Sequence, residues 1–572
     1  MNDAKVLAKV AAELCHGQYE SLPPRGAKPN RRTDGRREWT VLSGLLLQIQ
    51  DPSQEDNELH LIALATGVKC SPLDNISPHG DLLHDCHAEI LTRRAARKWL
   101  LRRLRDEVVL LQSDDASTVL HGIPRIFEAA SAEGVRWRLR QTVRVLWYIS
   151  TLPCGDASTS HLRISRTSRH GFERAGEAPS DGPQAGEAIL ALSSRISEDA
   201  VPGGHAAAGS EVVRGRTNEA TLSILRTKPG RADSIPAISL SCSDKLASYV
   251  ALGVQGSLLS ALLEPIVPSV FVIGFVPKEH VPLNAEEQGE TLQRDCQRAL
   301  WDRLEMFLAN NPIFDSSRPR QRPTIILLPN PGFCHSKETV ELAIRAEQRP
   351  EQAWDDVEPV PAAGSVIWTR TETAKGNVEN VVAGLKMGAS PAKKKGQELL
   401  PLHSSRRSAL CKLNWYRDVL QLSSEIQGES REDAVGPAAA SNSYFGAKND
   451  SENEHVREYR QRKLHLRGWA QPSSPTDAVE SAAQRRHRQA RESEMIKSFL
   501  SSTGWAAPET ESAFPTHSVG SGSASEGAVI VKEPRTEAPF CGWLVLGPRA
   551  ESFDHDGLLL TSGQSKITTP SS

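Results

Sequence analysis

The chain has 572 residues, with 68 lysines and arginines against 70 aspartates and glutamates and a formal net charge of −2. That balance excludes a global electrostatic pull toward nucleic acid, so any such contact must come from local patches. No window approaches the ~18 apolar residues of a membrane-spanning helix, no apolar signal opens the chain, and nine irregularly spaced cysteines fit a reducing compartment; a soluble intracellular protein of nucleus or cytoplasm is expected.

After a short helical start, residues 39–47 are dense in apolar and β-branched side chains and predict a first core element, followed by a second over 59–64. Residues 65–70 read as a strand end turning into a loop at Gly67. From 86 to about 110 there is neither Pro nor Gly, and Ala, Leu, Arg and Glu predict a helix with His87 and Glu89 in its first turn. Residues 143–151 read as a strand that ends at Leu152-Pro153-Cys154-Gly155. A further helix is expected from about 240 to 252, capped by Ser241 or Ser243, with Cys242 at its start. Short apolar runs over 270–276 and 324–328 predict buried strands. Strands alternating with helices argue for an α/β fold, a mixed sheet flanked by helices with a helical C-terminal extension. One large folded domain over 1–505 is expected. The Gly-, Ala-, Ser- and Pro-rich stretches at 171–215 and 428–443 predict disordered insertions, and 506–572 a loosely attached tail.

Three fragments carry chemistry: His87-Ala88-Glu89, Pro153-Cys154-Gly155 and Ser241-Cys242-Ser243-Asp244-Lys245. Alone, each reads more readily as structural. Together they supply one imidazole and two thiolates, a zinc ligand set that leaves a fourth position for water, beside a carboxylate that is not a ligand. His87, Cys154 and Cys242 are the expected ligands, and Glu89 the group that moves protons to the ring nitrogen and the departing amine during hydrolytic deamination of a base. Short deaminases place their second cysteine three residues after the first; here that position is Ala157, and Cys242 must take its place from far downstream.

The stretch Arg226-Thr227-Lys228-Pro229-Gly230-Arg231, the Ser241–Lys245 motif, Gly253-Val254-Gln255-Gly256-Ser257-Leu258-Leu259 and Asp85-Cys86-His87-Ala88-Glu89-Ile90 together resemble the adenosine deaminases acting on RNA, and within that superfamily the tRNA-specific adenosine deaminases. The resemblance runs from about residue 12 to 505. It implies a cytidine-deaminase-like sheet and conversion of adenosine to inosine in a tRNA anticodon loop, next to the anticodon. No obligate protein partner and no membrane are implied. The double-stranded-RNA editing enzymes carry RNA-binding domains upstream, for which the start of this chain leaves no room, so tRNA is favoured over duplex or messenger RNA. A catalytically silent, zinc-stabilised RNA-binding scaffold is the reading from another class; Glu89 argues against it, because a structural zinc site takes four protein ligands.

The resemblance also implies that Arg93, Arg94, Lys245, Lys412, Tyr444, Lys448, Tyr459, Lys463 and Trp505 surround a buried inositol hexakisphosphate. Asp85 and Lys228 would form with Lys245 a relay from this pocket to the zinc site. The sequence departs from the family at Ser248, where an arginine is usual, and at His84, where a neutral polar residue is usual. Val68, Lys69 and Asp233 match positions near the substrate, Lys69 as a phosphate contact; a solvated loop is the alternative role for Lys69 and Asp233. The run 93–105 carries enough charge to bind RNA phosphate as well.

Overall fold

The computed structural model describes residues 2–24, 26–50, 58–72, 75–112, 119–130, 136–162, 212–214, 222–229, 237, 239–278, 283–314, 320–347, 358–373, 375–390, 400–427, 443–467, 539–540 and 551–559. Its centre is an eight-stranded mixed sheet. The strands used below are β1 (Leu42–Ile49), β2 (Glu58–Thr66), β3 (Val68–Cys70), β4 (Asp85–His87), β5 (Val143–Ile149), β6 (Leu225–Thr227), β7 (Pro268–Phe275), β8 (Thr324–Pro329), β9 (Gly364–Thr369), β10 (Asn377–Val382) and β11 (Leu385–Lys386). The sheet order is β8-β7-β5-β1-β2-β9-β10-β11, with β5, β7 and β8 parallel and the remaining pairs antiparallel.

Period-two alternation divides the sheet's side chains between two cores. Leu42 and Leu46 of β1 with Leu146 and Tyr148 of β5 face helix α1 (Asn2–Ser21), which buries Ala8, Ala11, Ala12, Cys15 and Tyr19 at helical spacing. Leu45 and Leu47 with Val145, Trp147 and Ile149 point the other way, against α2 (Ala88–Gln112) and α3 (Cys242–Leu252). Behind these lie α4 (Ala285–Gln297) and α5 (Arg303–Asn310), joined by a π-helical turn over Arg298–Asp302. The C-terminal extension is helical, as expected: α6 (Lys412–Gln427), α7 (Tyr444–Lys448) and α8 (Glu454–Leu466) pack on the α2 side of the sheet. No described helix is long and apolar enough to cross a membrane.

Three expectations need correction. The helix predicted from residue 86 begins at Ala88, because 85–87 pair with β3 as an antiparallel strand; His87 therefore ends a strand and Glu89 is the second residue of α2. The insertion predicted at 171–215 ends in ordered backbone, since Val212–Arg214 pairs in parallel with β6; its remaining residues, and those at 428–442, lie outside the described residues. The tail is not loosely attached throughout. Phe540 and Phe553 are fully buried, Phe553 stacks on Tyr444 with ring centroids 5.1 Å apart, and backbone N–H groups of Tyr444 and Phe445 donate to the carbonyls of Phe553 and Glu551.

Burial of Phe553 makes the segment 551–559 part of the folded core. Phe553→Ala is expected to cost ~3–5 kcal/mol, read as a lower thermal unfolding midpoint; an unchanged midpoint would show that this segment contributes nothing to the fold.

Candidate functional site

Two local devices bring the three chemical fragments together. Gly67, at φ +149°, lets β2 fold back into β3: a Cβ there would lie 2.0 Å from the Cys86 carbonyl oxygen, so only glycine allows β4 to approach. Its carbonyl accepts the Ala88 N–H at 2.9 Å, which starts α2 directly after His87. Gly155, at φ +105°, plays the same part after β5: a Cβ there would meet the Ser241 hydroxyl at 2.2 Å, so the Cys154 loop lies flush on the start of α3. Ser241 caps that helix by accepting the Asp244 N–H, and Ser243 donates its hydroxyl to the Cys154 carbonyl at 2.9 Å. All three fragments therefore sit at the ends of strands or the starts of helices, where side chains project clear of the backbone.

The side chains form one cluster, in which Cys242, Asp85, Lys228 and Glu89 are buried and His87 and Cys154 partly so. Cys154 is an electrostatic neighbour of both the His87 ring and the Cys242 thiol, and the Cys242 backbone N–H donates to the Cys154 sulfur at 3.3 Å. Lys228, on the chain just beyond β6, donates to the Cys242 sulfur at 3.2 Å and to Asp85 Oδ2 at 2.8 Å. The Asp85 carboxylate also takes the His87 Nδ1 at 2.9 Å, the Ser239 hydroxyl at 2.7 Å and Lys245 at 2.5 Å. The bond from Cys242, then Lys228 and His87, hold the Cys154 thiol well below its ordinary range against burial. Burial, with the facing Cys154, pushes the Cys242 thiol up. Burial and Lys228 lower the His87 imidazole, but Asp85 and Cys154 outweigh them and push it up to about 9. Glu89 is buried beside Cys154, and burial followed by that charge raises its carboxyl. No group of three or more His, Cys, Asp or Glu side chains among the described residues has the spacing of a preformed metal site.

Around this cluster, Val68 pairs across the β3–β4 ladder with His87, and Lys69, opposite Cys86, is exposed. Asp233 and Trp505 lie outside the described residues, as does the basic stretch near 485–497.

A second cluster lies behind the first, linked to it by Lys245. Arg93 stacks on Tyr249 at 4.2 Å, while Arg94 donates to the Leu410 carbonyl at 2.9 Å. Lys412 donates to Glu551 at 2.7 Å, and Lys448 bonds the other carboxylate oxygen of the same residue. Tyr459 is buried as an electrostatic neighbour of Arg93, Arg467 and Arg97, and Lys463 lies against Arg467 and Lys448. Burial and then these cations push Lys463 well below its ordinary value, and burial lowers Arg97 and Arg467 to about 9. The His84 Nε2 is buried here and has no partner among the described residues; burial, then Lys412 and Arg94, drive its imidazole to about 3. The Nε atoms of Arg93 and Arg97 are likewise buried without a partner among the described residues.

Sequence reasoning missed Arg97, Arg467, Ser239 and Glu551 as members of these clusters. Arg97 carries a legible signal, its i, i+4 spacing from Arg93 on α2. Glu551, within a stretch read as tail, carries none.

The sequence profile of the adenosine-deaminase (editase) domain family matches residues 63–472. The chain is 32% identical to a tRNA-specific adenosine deaminase 1 of Schizosaccharomyces pombe over 45% of its own length and 54% of the relative's. It is 33% identical to the protein of that name from Saccharomyces cerevisiae over 40% of its own length and 48% of the relative's. A double-stranded RNA-specific editase Adar of Drosophila melanogaster is 27% identical over 38% of this chain and 27% of its own. The chain thus spans about half the length of the yeast relatives it matches.

The Glu551 carboxylate predicts a pH dependence. Burial would raise it, yet Lys412 and Lys448 hold it down from 4.5 to about 2. A group depressed in the folded state contributes stability that is complete above its unfolded value and lost as pH falls through its folded value. The stability difference between the wild type and Glu551→Gln, from denaturant unfolding, should be constant above pH 4.5 and shrink toward pH 2. A difference that stays level through that window would contradict the pairing.

Proposed function

The chain belongs to the adenosine-deaminase (editase) domain family, and from that premise we propose that it converts adenosine to inosine in tRNA, next to the anticodon, at a zinc centre held by His87, Cys154 and Cys242. The observation that carries this reading is the meeting of one imidazole, two thiols and the buried Glu89 from three distant segments. Two sulfurs and one nitrogen are a donor set that suits zinc in its chemistry. Zinc, when bound, supplies the Lewis acidity that brings the pKa of a water molecule down toward ~7.

The remaining steps fall to side chains of this protein. Asp85 engages His87 at Nδ1, which leaves Nε2 as the donor atom for a metal and fixes the ring's orientation. Glu89, raised by burial, would accept a proton from water and deliver it to the purine ring nitrogen as the oxygen adds to C6, then take the proton of the new C6 hydroxyl and pass it to the amine, so that the C6–N bond breaks and ammonia leaves. Lys228 offsets the thiolate charge on Cys242 and is itself held by Asp85. The base must be unstacked to reach this depth, and a tRNA loop gives it up at lower cost than a duplex. Val68 and Lys69, at the rim beside His87, are the proposed substrate contacts, with Asp233 a further one from the sequence. A second reading, editing of duplex or messenger RNA, is favoured by the similarity to the double-stranded RNA-specific editase.

The rear cluster fits the inositol hexakisphosphate that the resemblance implies. Arg93, Arg94, Lys412, Tyr444, Lys448, Tyr459 and Lys463 would hold it, with Lys245 at the boundary and Arg97 and Arg467 added. Unpartnered nitrogens on Arg93 and Arg97, and the lowered Lys463, support a polyanion at this place, since uncompensated buried charge is costly.

Incubating purified protein with total tRNA and sequencing for adenosine-to-inosine changes tests the reaction, with long duplex RNA as the competing substrate. Glu89→Ala should keep the fold and its zinc while losing inosine formation by two or more orders of magnitude; substantial residual activity would remove Glu89 from its role. Lys412→Ala with Lys448→Ala should lower the soluble yield and the organic phosphate released on denaturation. A stable, phosphate-free preparation of the wild type would refute the polyanion.

A further inference from the structure

The two cysteines share a neighbourhood that their spacing in the chain does not suggest. Cys154 is followed two residues later by Asp156 and Cys242 two residues later by Asp244, and both aspartates are fully buried. Each is gripped by an arginine from the same helical segment. Arg298 donates through Nε to Asp156 Oδ2 at 3.2 Å and through Nη2 to the Asp156 carbonyl at 3.1 Å, while its Nη1 is tied to Asp295 at 2.6 Å. Arg303 donates through Nη1 to Asp244 Oδ1 at 2.7 Å. The remaining carboxylate oxygens of both aspartates hold one further stretch of chain. Asp156 Oδ1 accepts the Ser223 N–H at 3.0 Å and Asp244 Oδ2 accepts the Arg226 N–H at 3.1 Å, on the approach to Lys228. Asp244 Oδ2 also takes the Ser241 hydroxyl at 2.6 Å, and Asp295 Oδ2 the Ser160 N–H at 2.9 Å.

What lets one helix serve both sites is its change of pitch. Residues five apart on an α-helix point about 140° away from one another at 3.6 residues per turn, so Arg298 and Arg303 would diverge. Between α4 and α5, however, the turn over Arg298–Asp302 is π-helical, and the Arg303 N–H donates to the Arg298 carbonyl. Bonding at i→i+5 brings the two positions to one side, and such π turns recur at functional sites.

We infer that Arg298 and Arg303 are positioning residues that set the separation of the Cys154 and Cys242 thiols, and that the π turn between them is the element that makes a two-sulfur metal site possible. This rests on the zinc reading above. The arginines touch neither metal nor substrate; they act through Asp156 and Asp244. They also differ in a way that can be tested. Arg298 uses three of its nitrogens in a fork that lysine cannot copy, whereas Arg303 reaches its aspartate through one.

The experiment compares zinc and cobalt binding by the full chain and by Arg298→Met, Arg298→Lys, Arg303→Met and Arg303→Lys. Zinc affinity is read by chelator competition, and the number of sulfur ligands by the thiolate-to-cobalt absorption bands. Phe307→Leu, a core change on α5 that leaves both arginine–aspartate contacts in place, is the matched destabilised control, and every variant is measured well below its thermal midpoint. Both methionine variants and Arg298→Lys should weaken zinc by on the order of tenfold or more and diminish the cobalt–thiolate bands. Arg303→Lys should restore binding to near the wild-type level, and Phe307→Leu should leave it unchanged. Wild-type affinity in both methionine variants, or an equal loss in Phe307→Leu at matched stability, would overturn the clamp while leaving the zinc centre standing. A wild-type chain that binds no zinc and shows no cobalt–thiolate bands would overturn the zinc reading itself.

Discussion

A single buried carboxylate, Asp85, receives bonds from two ammonium groups, one imidazole and one hydroxyl, and the arrangement of both clusters depends on it. Its partners come from separate stretches: His87 from its own strand, Lys228 from beyond β6, and Ser239 and Lys245 from the approach to α3 and its first turn. Burying a carboxylate is costly, and here the cost is offset because Lys228, Lys245 and His87 hold it ionised, well below the usual carboxylate range. Its loss would leave two ammonium groups facing each other in the interior. Asp85 thereby fixes the His87 ring, seats Lys228 against the Cys242 sulfur and connects the thiol cluster to the cations behind it.

Those cations pose the opposite problem. Helices α2, α6, α7 and α8 each contribute arginine or lysine to one interior region, and Glu551 is the carboxylate that bridges Lys412 and Lys448 there. Among the described residues, Arg93, Arg94, Arg97, Lys412, Lys448 and Lys463 gather around Glu551, and the depressed Lys463 and the buried Nε atoms of Arg93 and Arg97 register the crowding of like charge. His84, where the family has a neutral polar residue, adds no positive charge, because its surroundings keep the imidazole neutral.

The fold and the front cluster were largely legible because their signals are local. Apolar runs marked β1, β5, β7 and β8 within a few residues of their ends, and His87-Ala88-Glu89, Pro153-Cys154-Gly155 and Ser241-Cys242-Ser243 carry their chemistry in three residues each. Features that depend on partners were not. The strand 85–87 is three residues long and exists because β3 lies beside it, so helix propensity alone extended α2 too far upstream. Phe553 and Glu551 gain their burial from Tyr444, Lys412 and Lys448, about which a polar, Gly- and Ser-rich tail says nothing. The pairing of Arg298 with Asp156 and of Arg303 with Asp244 is hidden still deeper, because it requires a helical pitch that α-helical periodicity would place out of register.

The proposed zinc centre takes two sulfurs and one nitrogen from three parts of the chain, beside an unliganded glutamate. X-ray absorption at the zinc edge of the purified full-length protein tests this most directly. It should show one zinc per chain with two sulfur neighbours at about 2.3 Å and a first shell completed by nitrogen or oxygen at about 2.0 Å. A first shell with no sulfur, with one or with four would contradict the proposed centre.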